Sequence, residues 1–207
     1  MARSQPSVRR PWLAQTWTAL RALLVFTVVL GIGYPLVVLG IGQLVTPAQA
    51  NGSLVTVDGD VVGSSLIGQS FSDADGNPLP EWFQPRPSAA GSGYDAGASS
   101  GSNYGPENPD LIAAIEERRA QVAEFNGVDP DDVPADALTA SASGLDPHIS
   151  PAYALLQVAR VAAARGLAES EVRSLVETHI QGRDLGYLGE PTVNVLELNV
   201  ALADLGD

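Results

Sequence analysis

Cysteine and lysine are both missing from these 207 residues, Met occurs once, His twice, and aromatic residues make up only 6%. Without cysteine there is no disulfide framework, no thiolate zinc site and no thiolate nucleophile. Without lysine there is no P-loop lysine, and no GxxxxGK[ST] run occurs, so a self-contained phosphate-cradling nucleotide site of that kind is excluded. Acidic residues are missing from the first 57 positions, and charge of either sign is missing from the 36 positions between Arg21 and Asp58.

What remains is sorted. Residues 1–21 carry Arg3, Arg9, Arg10 and Arg21, a local charge of +4, while all 24 acids lie from Asp58 onward beside the other seven Arg, a local charge of −17. An ordinary soluble domain has no reason to separate its charges around an uncharged gap. Nucleic acid is excluded as a partner, because the larger part would repel phosphates and its Arg form no run.

The gap contains Ala22–Val45, a run of 24 residues whose only polar members are Thr27, Tyr34 and Gln43. As a helix it spans about 36 Å, enough for a hydrocarbon core of ~30 Å. Trp12 and Trp17 suit the headgroup region, and the Arg cluster places the N-terminus on the cytoplasmic side. The expectation is a single-pass protein of the cell membrane in contact with lipid. Its parts are a cytoplasmic segment (1–21), a transmembrane helix (22–45) and an extracytoplasmic domain (46–207). A cleaved signal peptide is the rival reading, since Ala48-Gln49-Ala50 has a cleavage-site pattern, but the apolar run is much longer than the ~7–15 residues of a signal core. On a regular helix Gly31 and Gly42, and Gly33 and Gly40, return to nearly the same faces and would admit a partner helix, while Pro35 is expected to kink or break the helix.

The outer part reads as α+β, with helices dominating its second half. Short β-branched runs flank Asp58-Gly59, a hairpin signal. Residues 84–109 hold five Gly, four Pro and five Ser, which predicts a long loop of the functional or disordered kind. Asn108-Pro109 and Ser150-Pro151 open helices that stop at Gly127 and Gly166. A third is expected over about Ala168–Gln181, and a fourth opens with Asn194 and Glu197 in capping-box spacing.

Local motifs are weak. Gly97-Ala98-Ser99-Ser100-Gly101 matches G-x-S-x-G, but no apolar strand precedes it. His148 and His179 read as turn or helix-end residues. Asp129, Asp131, Asp132 and Asp136 lack the spacing of a calcium loop, so no metal site is expected.

Several blocks together resemble one family. They are Gln49–Leu54, Gly63–Gln69, Arg86-Pro87-Ser88-Ala89, Ser100-Gly101-Ser102-Asn103, Leu138–Pro151, the Arg160-Val161-Ala162 helix and Gly189–Asn199. In the same order, and with Tyr34-Pro35 in the single helix, they resemble the C subunit of the Kdp potassium-transporting P-type ATPase. Pro85 before Arg86 departs from the Gly common there.

The resemblance implies a non-catalytic subunit of an ATP-driven, high-affinity potassium uptake complex. Its partners would be a potassium-channel-like subunit, a P-type ATP-hydrolysing subunit and a small one-helix subunit, which this chain would help to assemble and stabilise. ATP and K+ would belong to the complex, with no cofactor or catalytic residue of this chain's own. The family is credited with raising the ATP affinity of the hydrolytic subunit, which sits awkwardly with an outer domain and favours indirect coupling. The expected partner contacts are Gly31, Gly33, Gly40 and Gly42 on the helix and Arg86, Ser88, Ser100, Gly101 and Asn103 in the loop. The alternative is a membrane-anchored or secreted extracytoplasmic hydrolase using Ser99.

Overall fold

A computed structural model describes residues 11–205, which form two compact units divided between Gly52 and Ser53. Arg3, Arg9 and Arg10 of the basic segment lie outside the described residues.

In the first unit, helix α1 (Pro11–Val28) continues through a π-helical turn (Val29–Gly33) into α2 (Tyr34–Val45). The 34 residues Trp12–Val45 are long and apolar enough to cross a membrane, and none of their window is buried within the chain. The helix therefore starts well before the apolar run, with Arg21 stacked 5.4 Å from the Trp17 ring one turn earlier. Pro35 neither breaks the helix nor is absorbed by regular α geometry. It lacks an N–H, and in a regular helix its ring would meet the carbonyl of Gly31. The π turn just before it widens the ladder, with the Tyr34 N–H bonded to Val29 O.

Beyond Val45 the chain turns through α3 (Pro47–Ala50). Gln43 and Asn51 exchange reciprocal amide bonds of 3.2 and 3.0 Å across this turn, and Asn51 Nδ2 also donates to Pro47 O at 2.7 Å. The Ala48-Gln49-Ala50 motif thus lies in a clasped helical turn.

The second unit opens with the expected hairpin. Strands β1 (Leu54–Val57) and β2 (Asp60–Ser64) pair antiparallel around Asp58-Gly59, with a bulge after Val55. Asp58 (φ 52°) and Gly59 (φ 91°) both occupy the left-handed region that a tight hairpin turn requires. Helices follow: α4 (Pro109–Asn126), α5 (Ala135–Leu138), α6 (Pro151–Leu156), α7 (Val158–Arg165), α8 (Glu169–Thr178) and α9 (Val195–Asp204). Asn108, Ser150 and Asn194 cap α4, α6 and α9 with their side-chain oxygens, and Gly127 and Gly166 end α4 and α7 in left-handed conformation. The Ser150 helix is divided at Gln157 into α6 and α7. A second two-stranded pair, β3 (His148–Ile149) with β4 (Val193–Asn194), ties the starts of α6 and α9 together. Two-residue strands carry no periodicity, and the sequence gives no sign of this pair.

The core is built from Val158 and Val161 of α7, Val172 and Val176 of α8, and Leu198 and Leu202 of α9, all fully buried, with Phe83 inserted from the preceding loop. Phe83 enters in a way that explains three buried polar groups. Asn199 accepts from the Phe83 N–H at 2.9 Å and donates to its carbonyl at 3.0 Å. Gln157 does the same for Gln84, at 2.6 and 3.1 Å. Two side-chain amides thus replace a β-ladder and satisfy a buried extended segment. Arg160 completes the arrangement, donating to Asn126 Oδ1, Gln157 Oε1 and the carbonyls of Pro80 and Trp82, with its guanidinium 4.4 Å from the Phe125 ring. Burial lowers its pKa to about 10, so it stays charged at neutral pH. Arg165 lies 4.2 Å over Trp82 and donates to Glu81 O and Leu202 O.

Candidate functional site

The Gly- and Ser-rich loop is ordered by interlocking with the segment that leads into α6. Arg86 is the hub. Its Nη1 meets Asp146 Oδ2 at 2.9 Å and its Nη2 donates to Thr139 O at 3.3 Å. The other Asp146 oxygen accepts from the His148 N–H at 3.0 Å and lies 3.5 Å from His148 Nδ1. Burial alone would raise the Asp146 pKa; the hydrogen bonds from His148 and the charge of Arg86 outweigh it and hold the carboxyl below its ordinary value.

Ser88 is a second node. Its hydroxyl donates to Gly144 O at 2.6 Å and accepts from the N–H groups of Ala90 and Tyr94. Tyr94 returns the chain by donating its OH to Arg86 O at 2.8 Å, and burial pushes its pKa far up, keeping it a neutral donor. Farther along, Ser99 Oγ and the Ser100 N–H both donate to Ser143 O, each at 2.9 Å.

The contact is too close for side chains at three glycines. A Cβ on Gly144, whose φ is 68°, would lie 2.7 Å from both Ala90 N and Ser100 O. One on Gly101 would lie 2.8 Å from Ala142 O, and one on Gly68 2.6 Å from Asp146 O. Three stretches quoted above as family blocks therefore meet backbone to backbone. Asp136 ties this segment to α5, accepting from the Ser150 N–H and hydroxyl at 2.7 and 2.8 Å.

The residues expected as contacts separate into three groups. Arg86, Ser88, Ser100 and Gly101 come together in this interlock, largely committed to bonds within the chain. Asn103 (φ 54°) is exposed and folds back on Gly101 O at 3.1 Å. On the helix, a Cβ at Gly40 would meet nothing within 4 Å, whereas one at Gly42 would meet Ala50 Cβ at 3.6 Å, so Gly42 faces its own chain. Gly31 and Gly33 lie inside the π turn, which alters the turn per residue and takes Gly31 and Gly42 out of the regular α-helical register.

The remaining motifs resolve locally. Ser99 follows a 3-10 turn (Ala96–Ala98) rather than a strand and gives its hydroxyl hydrogen to Ser143 O, so the strained elbow that a hydrolase nucleophile needs is not formed. Asp129 caps a short turn by accepting from the Asp131 N–H. His179 ends α8, its Nδ1 2.8 Å from Leu175 O. Among the described residues no cluster of three His, Asp or Glu side chains could hold a metal ion.

Tyr94 and Gln157 are unanticipated, and Arg160 and Asn199, which lie in the quoted blocks, have bonding roles that the sequence did not indicate. Gln157 carried a usable signal: it is a lone amide inside the otherwise apolar stretch Tyr153–Ala159.

One unburied apolar helix, long enough to cross a membrane, followed by an α+β domain whose loop side chains largely bond within the chain, defines the class: a small α+β domain carrying one N-terminal apolar helix. The chain belongs to the KdpC family, the c chain of K+-transporting ATPases, whose family model matches residues 16–204. It is 62% identical over 190 residues to the potassium-transporting ATPase KdpC subunit of Kineococcus radiotolerans, covering 92% of this chain and 93% of that protein. The corresponding subunits of Methylococcus capsulatus and Mycobacterium tuberculosis are 54% and 53% identical, over 89% and 91% of this chain and 94% and 97% of theirs.

Proposed function

We propose that this chain is the accessory, non-catalytic subunit of an ATP-driven potassium uptake complex. It joins and stabilises a channel-like and an ATP-hydrolysing subunit, together with a small one-helix subunit. The observation that carries this reading is the 62% identity running through both the helix and the domain to a protein named as a potassium-transporting ATPase subunit. The helix supports it, because its apolar surface is left entirely to its surroundings. The loop supports it too, because its serines and Arg86 are engaged in holding structure rather than arranged around a reacting atom.

The basic N-terminal segment supports a cytoplasmic N-terminus and an extracytoplasmic domain. In that orientation any rise in ATP affinity passes indirectly, through the helix or the channel-like subunit. The acidic surplus would then raise cation concentration close to the domain, within a Debye length of ~8 Å.

The absence of cysteine provides a clean labelling background. A single Cys at Ser4 should resist a membrane-impermeant thiol reagent added from outside, and one at Asn103 should react with it. The reverse pattern would overturn the orientation. Reconstituting the complex with and without this chain should give a loss of assembly or a higher ATP requirement when it is omitted. Unchanged assembly and unchanged ATP dependence would overturn the accessory role.

A further inference from the structure

The second unit is strongly acidic, yet one of its clefts is lined by two arginines and no acid. The cleft, of about 320 Å³, lies between the Ser70–Pro78 turn, the start of the Gly/Ser loop and the faces of α4 and α6, and its lining contains Arg86, Arg118, Gln121 and Tyr153 but no Asp or Glu. In a domain with a net charge of −17, a donor-lined cavity around two guanidinium groups calls for an explanation.

Three donors there are incompletely used. Tyr153 is only 4% exposed, and its hydroxyl makes no hydrogen bond among the described residues. The Arg86 Nε–H is fully buried and has no acceptor. Arg118 donates to Leu138 O at 3.0 Å through Nη1 and forms no ion pair among the described residues. Asp146 is held by Arg86 and His148, while Asp136 and Glu117 accept from the neutral Ser150 and Gln121, and the charge of Asp136 still reaches Tyr153. A buried guanidinium N–H without an acceptor costs free energy unless something fills that role.

We infer that this cleft is a binding site for one small oxyanion, a carboxylate or phosphate group, held by Arg118 and the Tyr153 hydroxyl with the Arg86 guanidinium beside them. Guanidinium groups suit such an anion because their planar N–H donors match two of its oxygens. The neutral phenol adds a further donor: burial pushes the Tyr153 pKa up to about 12, so the proton is present throughout the physiological range. Raising that pKa also keeps a second negative charge out of the cleft. The group can arrive as a free anion or as the carboxylate of a side chain on a neighbouring subunit. Neither source depends on the orientation proposed above.

The test uses the full chain in detergent micelles, titrated with inorganic phosphate and with acetate at pH 7 and constant ionic strength, with thermal unfolding as the readout. A saturable rise in Tm is expected for at least one of them. Tyr153→Phe, which removes only the oxygen, and Arg118→Gln should each weaken binding by about tenfold or more, the usual consequence of removing one charge-assisted or buried hydrogen bond. Tyr153→Phe keeps the ring in the core, so a poorly folding Arg118→Gln chain would not leave the question open. No saturable shift with either anion, or a shift of equal affinity in wild type and Tyr153→Phe, would overturn the site. Repeating the titration on the assembled complex then separates the sources: persistence of binding identifies a free anion, and its loss identifies a carboxylate supplied by another subunit.

Discussion

Three glycines of the helix and three of the domain behave oppositely. In the helix, Gly40 has open space where a side chain would go, and Gly31 and Gly33 meet nothing nearer than 3.7 Å. In the domain, Gly144, Gly101 and Gly68 sit against backbone at 2.6 to 2.8 Å. The same residue type is thus required by the chain's own packing in one region and unexplained by it in the other. Small residues left unused on an apolar helix gain a role only when a neighbouring helix or lipid fills the space. The chain accounts for these three glycines of the domain and not for those of the helix.

That contrast can be broken or sharpened by substitution, beginning with the domain. Gln157→Ala would strand the buried N–H and carbonyl of Gln84 and remove an Arg160 partner, for an expected loss of about 4 kcal/mol from several buried hydrogen bonds. Chemical denaturation of the full chain in micelles, followed by far-UV circular dichroism, measures it. Gly144→Ala combines a left-handed backbone with a collision against Ala90 and Ser100, and about 3 kcal/mol is expected from the strain and forced movement. A loss below ~1 kcal/mol would mean that the loop yields easily and is not locked in place.

Asp146→Asn should cost about 1–2 kcal/mol at neutral pH by weakening the Arg86 and His148 contacts. It also carries a pH signature. The folded-state pKa of Asp146 is depressed, so its contribution is complete above the ordinary carboxylate pKa of about 4 and disappears as pH falls through the depressed value. The variant should therefore lose less stability than wild type between about pH 5 and pH 2. Equal acid limbs would mean that the Arg86–Asp146 pair contributes nothing to folding.

The smallest expected effect on the chain alone is that of Gly40→Leu, within about 0.5 kcal/mol of wild type because nothing in the chain occupies that space. Its effect should appear in the membrane, as reduced recovery of partner subunits. A large destabilisation of the isolated chain would erase the contrast between the two sets of glycines.

Much of the architecture was legible because it rests on short-range chemistry. Asn108, Ser150 and Asn194 are caps whose partners lie two or three residues away, and Gly127 and Gly166 end helices by local backbone conformation. The uncharged gap exposed the helix, but not its start at Pro11 or the π turn that admits Pro35. The candidate site was only half legible. The resemblance brought out Arg86, Ser88, Ser100 and Gly101 and also the Leu138–Pro151 block that holds their partners Asp146, Ser143 and Gly144, but not the pairing between them, which spans some 40 to 60 residues. A hydrogen bond from a side chain to a distant carbonyl leaves no pattern in sequence. Gln157 and Asn199 were hidden for the same reason, their partners being the backbone of Gln84 and Phe83.

The charge surplus also reads differently with the fold in view. Arg118, Arg160 and Arg165 donate to backbone carbonyls or neutral side chains instead of pairing with acids. These three positive charges are drawn into the structure without an ion pair among the described residues, while Arg119, Arg173 and Arg183 stay exposed in ion pairs.

The central claim is that this chain works as one part of a potassium-transporting ATPase. Affinity purification of the tagged full chain from native membranes, followed by ATP hydrolysis measured with and without K+, tests it most directly. The account requires a P-type ATPase subunit to co-purify and hydrolysis to be stimulated by K+. Recovery of this chain by itself, with no K+-stimulated hydrolysis, would contradict it.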